Sequence, residues 1–342
     1  MNAPSLVSGS FVDDFFPFSL TRSVADFRCG ILTIREKWNY FLKDNPSFPA
    51  GISIPANVIP DRELIQSIIE TNTGIPLEKT SRLLQIPDIL LYNSSEIKKD
   101  FDLITKGRFT ATISSTNKLS GSAIFLEPGA VVEHSYLNAS EGPIYIGRDS
   151  LVMEGAMIRG PFALGERSVV KMGAKIYGAT SIGPGCVAGG EIKNSVIFGY
   201  SNKAHDGYLG DSVIGEWCNL GAGSTNSNMK NSGGTVKLWN PLRNAYVHGG
   251  LKCGLMMGDY SRSAINTSFN TGTVVGPSSH VFGNGVTPSY LPSFTWGYDH
   301  EVYDFERAIR HIGKWKKLKG HVLSDEEIKQ LKNIFDQQNQ TK

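Results

Sequence analysis

The sequence predicts a mainly β protein built as a parallel β-helix, preceded by a short α/β segment and followed by a helical tail. Three observations carry that expectation. Ile146, Val152, Ile158, Leu164, Val170, Ile176, Ile182 and Ala188 recur every six residues without a slip. Gly147, Gly165 and Gly183 follow the apolar position at every third repeat, which lays a period of eighteen over the six. The slot four residues after each aliphatic holds Ser150, Ala156, Phe162, Ser168, Ala174, Thr180 and Cys186, mostly small side chains. A helix repeats at 3.6 residues and an alternating strand at two, so neither produces a six. Three hexads close one triangular coil, with an aliphatic pointing inward from each flat face and a small residue at the tight corner.

Composition agrees. Glycine reaches 37 of 342 residues, as repeated corners require. The formal net charge is only +2, which offers no general argument for nucleic acid or an anionic membrane as a partner. Cys29, Cys186, Cys218 and Cys253 are scattered without C-x-x-C spacing, which argues against a disulfide framework or a zinc site. No basic leader with an apolar core and no stretch of spanning length is present, so a soluble cytoplasmic protein is expected.

Residues 1–116 differ from the repeats. Phe11, Phe15, Phe16 and Phe18 cluster early. A short strand is expected at Ile31–Ile34, then a helix carrying Trp38, Phe41 and Leu42. Two more helices are expected over Asp61–Thr71 and Ser95–Ile104. A nucleotide-binding domain would place a Gly-rich phosphate loop after the first strand, and none occurs here. Arg22 and Arg28 remain as anion contacts, or equally as arginines on a solvated or interdomain surface.

The solenoid is expected over 117–289. Leu126 and Val132 open its rhythm two positions out of phase, so the first coil should be irregular. After Ala188 the rhythm loosens, returns at Ile214 and Leu220, and breaks over the insertion 226–253. "TVKLWNPLRNAYVHGG" reads there as two strands joined by a turn at Asn240 and Pro241. Hexads resume at Met257, Phe269, Val275 and Val281. In the tail, 290–342, Val302, Phe305, Ile309, Ile312 and Trp315 share a helical face. Ser324 and Glu327 form a capping-box pattern before Ile328, Leu331 and Phe335. The tail is expected to pack on the solenoid end.

Lys175 and Lys193 stand eighteen residues apart, and in a regular coil they would stack about 4.8 Å apart. Two such ammonium groups repel unless an anion lies between them or they splay into solvent. His205 follows in a polar, Gly-containing stretch, where an imidazole can serve as a general base or be an ordinary loop residue. Tyr208, Asn219, Asn226 and Asn228 come next, the asparagines equally suited to turns.

"GGEIKNSV", "NKAHDGYLGD" and "CNLGAGSTNSN", with the hexads around them, resemble the acetyltransferase domain of the bacterial bifunctional enzyme that makes UDP-N-acetylglucosamine. "TRSVADFRCGILTIREKW", "IRGPFALGERSVVKMGAKIYGATSIGP" and "NTGTVVG" extend the resemblance to bacterial proteins labelled as that family or as sugar nucleotidyltransferases. The resemblance covers nearly the whole chain. It implies a left-handed, trimeric β-helix acyltransferase that moves acetyl from acetyl-CoA to a phosphorylated or nucleotide-linked amino sugar. It puts the catalytic histidine at His205, the sugar-phosphate contacts at Lys175 and Lys193, and the acceptor contacts at Tyr208, Asn219 and Asn228. The backbone contact to the acetyl-CoA thioester falls on Ala222, and no metal site is implied. Mg²⁺ would enter only if nucleotidyl transfer were retained, and residues 1–116 are about half the length of a complete nucleotidyltransferase domain. Three departures accompany the match. A further family lysine falls on Gly234, with Lys230 and Lys237 nearest. A glycine–serine pair becomes Ala264 and Ile265. The long insertion after Asn228 has no counterpart in the bifunctional enzyme.

Overall fold

A computed structural model describes residues 4–71 and 80–340 of the protein. The repeats form a parallel β-solenoid of three flat faces. The first face is a nine-stranded sheet running from Ile124–Leu126 to Tyr290–Leu291. The second begins at Val131–Val132 and the third at Lys118–Ser120. Register is that of the predicted eighteen: Leu164 pairs with Ile146 below and Ile182 above. Each predicted aliphatic from Ile146 to Ala188 is buried in one continuous core. Burial of such a side chain stabilises by roughly 1.5–3 kcal/mol, and stacking on its copies one coil away is what makes the solenoid cohere.

The small corner residues do more than fit. Ser150 Oγ donates to Gly165 O at 2.7 Å, and Ser168 Oγ donates to Gly183 O at 2.8 Å. The same hydroxyls accept from the next coil, Ser168 N at 3.2 Å and Cys186 N at 3.0 Å. Corner backbone that would otherwise lie buried and unpaired is thus satisfied by a ladder of small polar side chains.

Periodicity first fails for a definite reason. Ile176 pairs with Ile192, sixteen residues on, because the corner between second and third faces shrinks to Gly189–Gly190. The expected stack of Lys175 on Lys193 is therefore absent. Lys175 lies opposite Glu191, and Lys193 lies opposite Tyr177.

The N-terminal segment is laid along the outside of the first face. Among the described residues its only sheet is the parallel pair Ser5–Val7 and Ser53–Pro55. Phe15, Phe16, Phe18 and Phe27 share a core with Val196, Phe198, Val213, Met256 and Val274. Phe198 sits 5.2 Å from Phe18 and 5.5 Å from Phe27, centroid to centroid. Helices α1 (Ile34–Lys43), α2 (Arg62–Thr71) and α3 (Pro87–Thr105) complete the layer.

Two expectations here need correction. No strand forms at Ile31–Ile34. Thr33 and Glu36 make a capping box that starts α1 at Ile34, while Ile31 N and Leu32 N donate to Asp100 Oδ2 at 2.8 and 3.0 Å. The third helix starts at Pro87, not Ser95, because a proline at its N-terminal end is compatible with the helix dihedrals. Lys37 ties α1 to α3 through Glu96 Oε2, at 2.8 Å, and Asp100, all three being buried.

Arg22 and Arg28 act as anchors. Arg22 reaches Glu216 at 2.8 Å and Asp259, and Arg28 donates to Phe198 O at 3.3 Å and to Ile31 O. The interdomain reading holds, since both arginines reach from the N-terminal segment to the solenoid.

In the tail, α4 (Phe305–Leu318) and α5 (Asp325–Gln340) cover the upper second face, where Ile312, Leu331 and Ile334 meet Trp217, Tyr260 and Phe294. The Ser324–Glu327 capping box forms, with bonds of 2.9 and 3.2 Å. Val302 departs from the expected helical face: it lies in the short strand Glu301–Val302 and is half exposed. The insertion folds as the predicted hairpin, Lys237–Asn240 antiparallel to Ala245–His248. With the first face and the upper second face covered, the third face stays open.

Candidate functional site

The open face and its border with the second face hold the predicted residues. His205 occupies a four-residue corner, Ala204–Gly207, and is exposed. Gly207 sits at φ +115°, and a Cβ there would lie 2.1 Å from Ser224 O, so only glycine lets this corner close on the next coil. Gly223 N donates to Asp206 O at 3.0 Å, which places Ala222 one coil above His205. Asn266 N donates to Ala222 O at 2.7 Å, which places Ile265 one coil higher. Below His205 the corner shortens to Gly189–Gly190, and a Cβ on Gly190 would lie 2.7 Å from His205 O, so the longer corner rests directly on the shorter one. Among the described residues the Ala222 N–H makes no hydrogen bond within the chain, as at the equivalent corner residue Met172. The free donor is thus a property of the coil, and what distinguishes Ala222 is its place above His205.

A lysine lies inside the solenoid under this corner. Lys203 pairs with Ala188 and takes the inward slot that aliphatics fill in the coils below. It is 1% exposed. Its Nζ donates to Gly189 O at 3.3 Å and to His205 O at 2.5 Å, tying the short corner to the histidine's own backbone. Burial pulls its pKa down to about 8, partly offset by Asp206.

On the third face, Tyr208 is half-buried and folds back over Gly210, where a Cβ would lie 2.2 Å from its hydroxyl. Asn228 Nδ2 donates to Tyr208 Oη at 3.0 Å and also to Asp211 Oδ2. Asp211 Oδ1 accepts from Asn194 at 2.7 Å. Burial, then Asp211 and Glu191, raise the Tyr208 pKa, so the phenol stays protonated and available as a donor. Glu191 lies opposite Tyr208 and accepts from Tyr177 Oη at 2.5 Å. That bond, with lesser contributions from burial and the Glu191 charge, pushes the Tyr177 phenol up to about 12.

Lys175 and Lys193 project from this face on neighbouring strands, offset by two residues. Strand spacing and rise put their Cα atoms about 8 Å apart. Among the described residues neither takes part in an ion pair. The structure thus brings His205, Ala222, Tyr208, Asn228, Lys175 and Lys193 to one open region. Asn219 is separated from Tyr208 and Asn228. It stands on the second face, bridged to Asn202 and Arg262, with its Oδ1 accepting from Asn202 at 3.2 Å. Asn226 points inward and bonds Gly210 N at 2.8 Å and Gly210 O at 3.0 Å, a structural role.

Lys203, Asp211 and Glu191 escaped the sequence reading. Lys203 was legible only with the register restarted twice, after Gly189–Gly190 and again where Ile192 to Ile197 spans five residues, which puts it in an inward slot. Asp211 sits at φ +49°, at a turn no period marks.

A parallel solenoid with a histidine corner beside a lysine-bearing face defines the class, a hexapeptide-repeat protein with a polar site on one flank. Residues 5–84 match the family described as sugar nucleotidyl transferase. The bifunctional protein GlmU of Methanocaldococcus jannaschii is 29% identical over 117 residues, 34% of this chain and 28% of that protein. A bifunctional sugar-1-phosphate nucleotidylyltransferase/acetyltransferase of Sulfurisphaera tokodaii is 33% identical over 96 residues, 28% of this chain and 24% of that protein. The chain therefore matches about a quarter of the length of these curated relatives, and the likenesses are to transferases. The polySia specific acetyltransferase NeuO aligns over 54% of this chain and 82% of its own, at 12% identity and a TM-score of 0.21, too low to bear on the argument. Over these stretches the chain is similar to bifunctional GlmU proteins.

Proposed function

We propose that the protein is an acetyl-CoA-dependent N-acyltransferase for an amino-sugar phosphate or a nucleotide-linked amino sugar. The observation that carries this reading is the exposed His205 corner, beneath Ala222 and beside a face bearing Lys175 and Lys193. His205 takes a proton from the acceptor amine as its nitrogen attacks the thioester carbonyl. The N–H of Ala222 stabilises the oxyanion that develops there. The C–S bond then breaks, and the leaving thiolate receives the proton held on His205. Lys175 and Lys193 hold the phosphate and so orient the amine. Tyr208 and Asn228 meet the sugar, and Asn219 borders the corner from the second face.

The open third face suits a partner subunit, and a cytoplasmic homotrimer with sites between neighbours fits closed symmetry. Among the described residues, no helix is long and apolar enough to cross a membrane.

A second reading rests on the match over residues 5–84: a Mg²⁺-dependent sugar-1-phosphate nucleotidyltransferase. Against it, the described part of that segment packs on the first face, with Arg22 paired to Glu216 and Asp259. A third is a non-catalytic sugar-nucleotide binder, favoured by Ala264 and Ile265 where the acetyl group would be met. Thiol release from acetyl-CoA across a panel of amino-sugar phosphates and nucleotides separates the three. Release with one acceptor supports the proposal. Pyrophosphate release with Mg²⁺ and a nucleoside triphosphate, or acceptor binding without either product, replaces it.

A further inference from the structure

The insertion builds a second cavity that the proposed chemistry does not use. A groove of about 910 Å³ lies on the third face above Tyr208, between the strands Thr225–Asn226 and Ser268–Phe269 and the insertion. That size is ample for a small organic ligand, since such sites run from roughly 300 to 1,000 Å³. Lys230 and Lys237 line it, and no carboxylate does among the described residues. Neither lysine has an ion-pair partner there. Tyr246 also lines it, 57% exposed and braced edge-on by Trp239 at 5.0 Å.

The wall that carries these groups is fixed. In the hairpin, Trp239 pairs with Tyr246, and Leu238 with Val247. Leu238 belongs to the N-terminal core. Asn240 donates to Asp13 O at 2.8 Å, and Arg243 pairs with Asp14 at 2.8 Å. One side of the hairpin is thus bonded to the N-terminal layer while Lys237 and Tyr246 line the groove. Alternate residues of a strand point to opposite sides, so the burial of Leu238 is what turns Lys237 outward. A flat ring beside two uncompensated ammonium groups, over a floor of asparagine, serine and threonine, matches one ligand chemistry. The ring stacks a base, the lysines take a diphosphate, and the floor meets hydroxyls.

We infer that this groove binds a nucleoside diphosphate. The inference rests on the transferase reading only for where the ligand comes from: the nucleotide of a nucleotide-linked acceptor, or the adenosine phosphate end of coenzyme A.

The test titrates the protein with UDP, ADP, uridine and inorganic phosphate by calorimetry. UDP or ADP should bind at least tenfold more tightly than uridine or phosphate. The double variant Lys230→Met/Lys237→Met should weaken that nucleotide 10- to 100-fold with an unchanged melting temperature. Arginine at both positions should restore binding, and Tyr246→Ala should weaken the nucleotide while leaving phosphate unaffected. If UDP binds and the variant raises KM for the acceptor, the acceptor is the source. If ADP binds and KM rises for acetyl-CoA, the donor is. Nucleotide binding untouched by the double variant, or none at all, overturns the inference. The two readings fail separately. Nucleotide binding without thiol release sinks the transferase reading and leaves the groove standing. Thiol release with both KM values unchanged in the variant does the reverse.

Discussion

The coils from Ile146 to Ala188 and the coils from Gly189 to Asn228 use the same geometry for opposite ends. In the first stretch every inward slot is apolar, every corner between second and third faces has the same length, and nothing polar is buried unpaired. In the second, one corner loses two residues, a lysine and an asparagine take inward slots, and a histidine stands exposed on the corner above. Regularity makes the solenoid stable; the interruption is where a ligand can approach and a charge can be held. The contrast matches a general expectation, that local rules are broken where function requires it.

The largest expected effect breaks this contrast at His205. His205→Ala should lower kcat by roughly 10²–10⁴-fold. The melting temperature should hardly move, because the side chain is exposed and contributes nothing to the core. A variant with wild-type turnover, or one that fails only by unfolding, puts the base elsewhere.

The next effect sets the interior lysine against the aliphatics it replaces. The Lys203 pKa falls from 10.5 to about 8 in the folded chain, so between those values the unfolded chain binds more protons. Stability therefore rises with pH across that window, and the full cost of the buried charge is felt below pH 8. Lys203→Met should stabilise the protein at neutral pH by about 1–3 kcal/mol, an advantage that shrinks as pH rises from 8 towards 10.5. Turnover should fall at the same time, because the carbonyl of His205 loses its tether. Denaturation at several pH values, paired with rates, checks both signs. Lost stability at pH 7 would make Lys203 an ordinary structural residue.

How far the sequence carried the reading follows from the same contrast. The eight aliphatics from Ile146 to Ala188 announced coil, register and core, because a repeated packing problem leaves a repeated sequence. The hairpin was legible from its turn, and the tail's second helix from Ser324 and Glu327. Gly189–Gly190 was not legible as a deleted corner, since a shift of two residues shows only when the coils on either side are aligned in space. That miss produced the false stack of Lys175 on Lys193, and with one more residue lost between Ile192 and Ile197 it hid Lys203. The strand expected at Ile31–Ile34 failed because Thr33 and Glu36 outweighed a short β-branched run. The N-terminal aromatics gave no hint of their partners, since Phe198 and Met256 belong to the outward side of a face whose period was read for its inward side.

The smallest effect concerns the two lysines, and it sharpens the comparison because they stand on either side of the interruption. Lys175 is exposed, on the last regular third-face strand, opposite Glu191. Lys193 is partly buried, beside Tyr177 and Gly210, next to where the Tyr208 hydroxyl folds in. A charge-assisted contact contributes about 1.5–3 kcal/mol, and screening by water weakens it where the group is exposed. Lys193→Met should therefore raise KM for a phosphorylated acceptor by roughly ten- to a hundredfold, with little change for acetyl-CoA. Lys175→Met should raise it by less, because its ammonium is more hydrated and has Glu191 as a strand neighbour. Raising the salt concentration should erode the Lys175 effect first, since exposed charges are screened over a Debye length of about 8 Å at physiological ionic strength. Steady-state kinetics of both variants at two ionic strengths decides it. Equal effects on donor and acceptor, or none from either variant, would mean that this face does not hold the acceptor's phosphate.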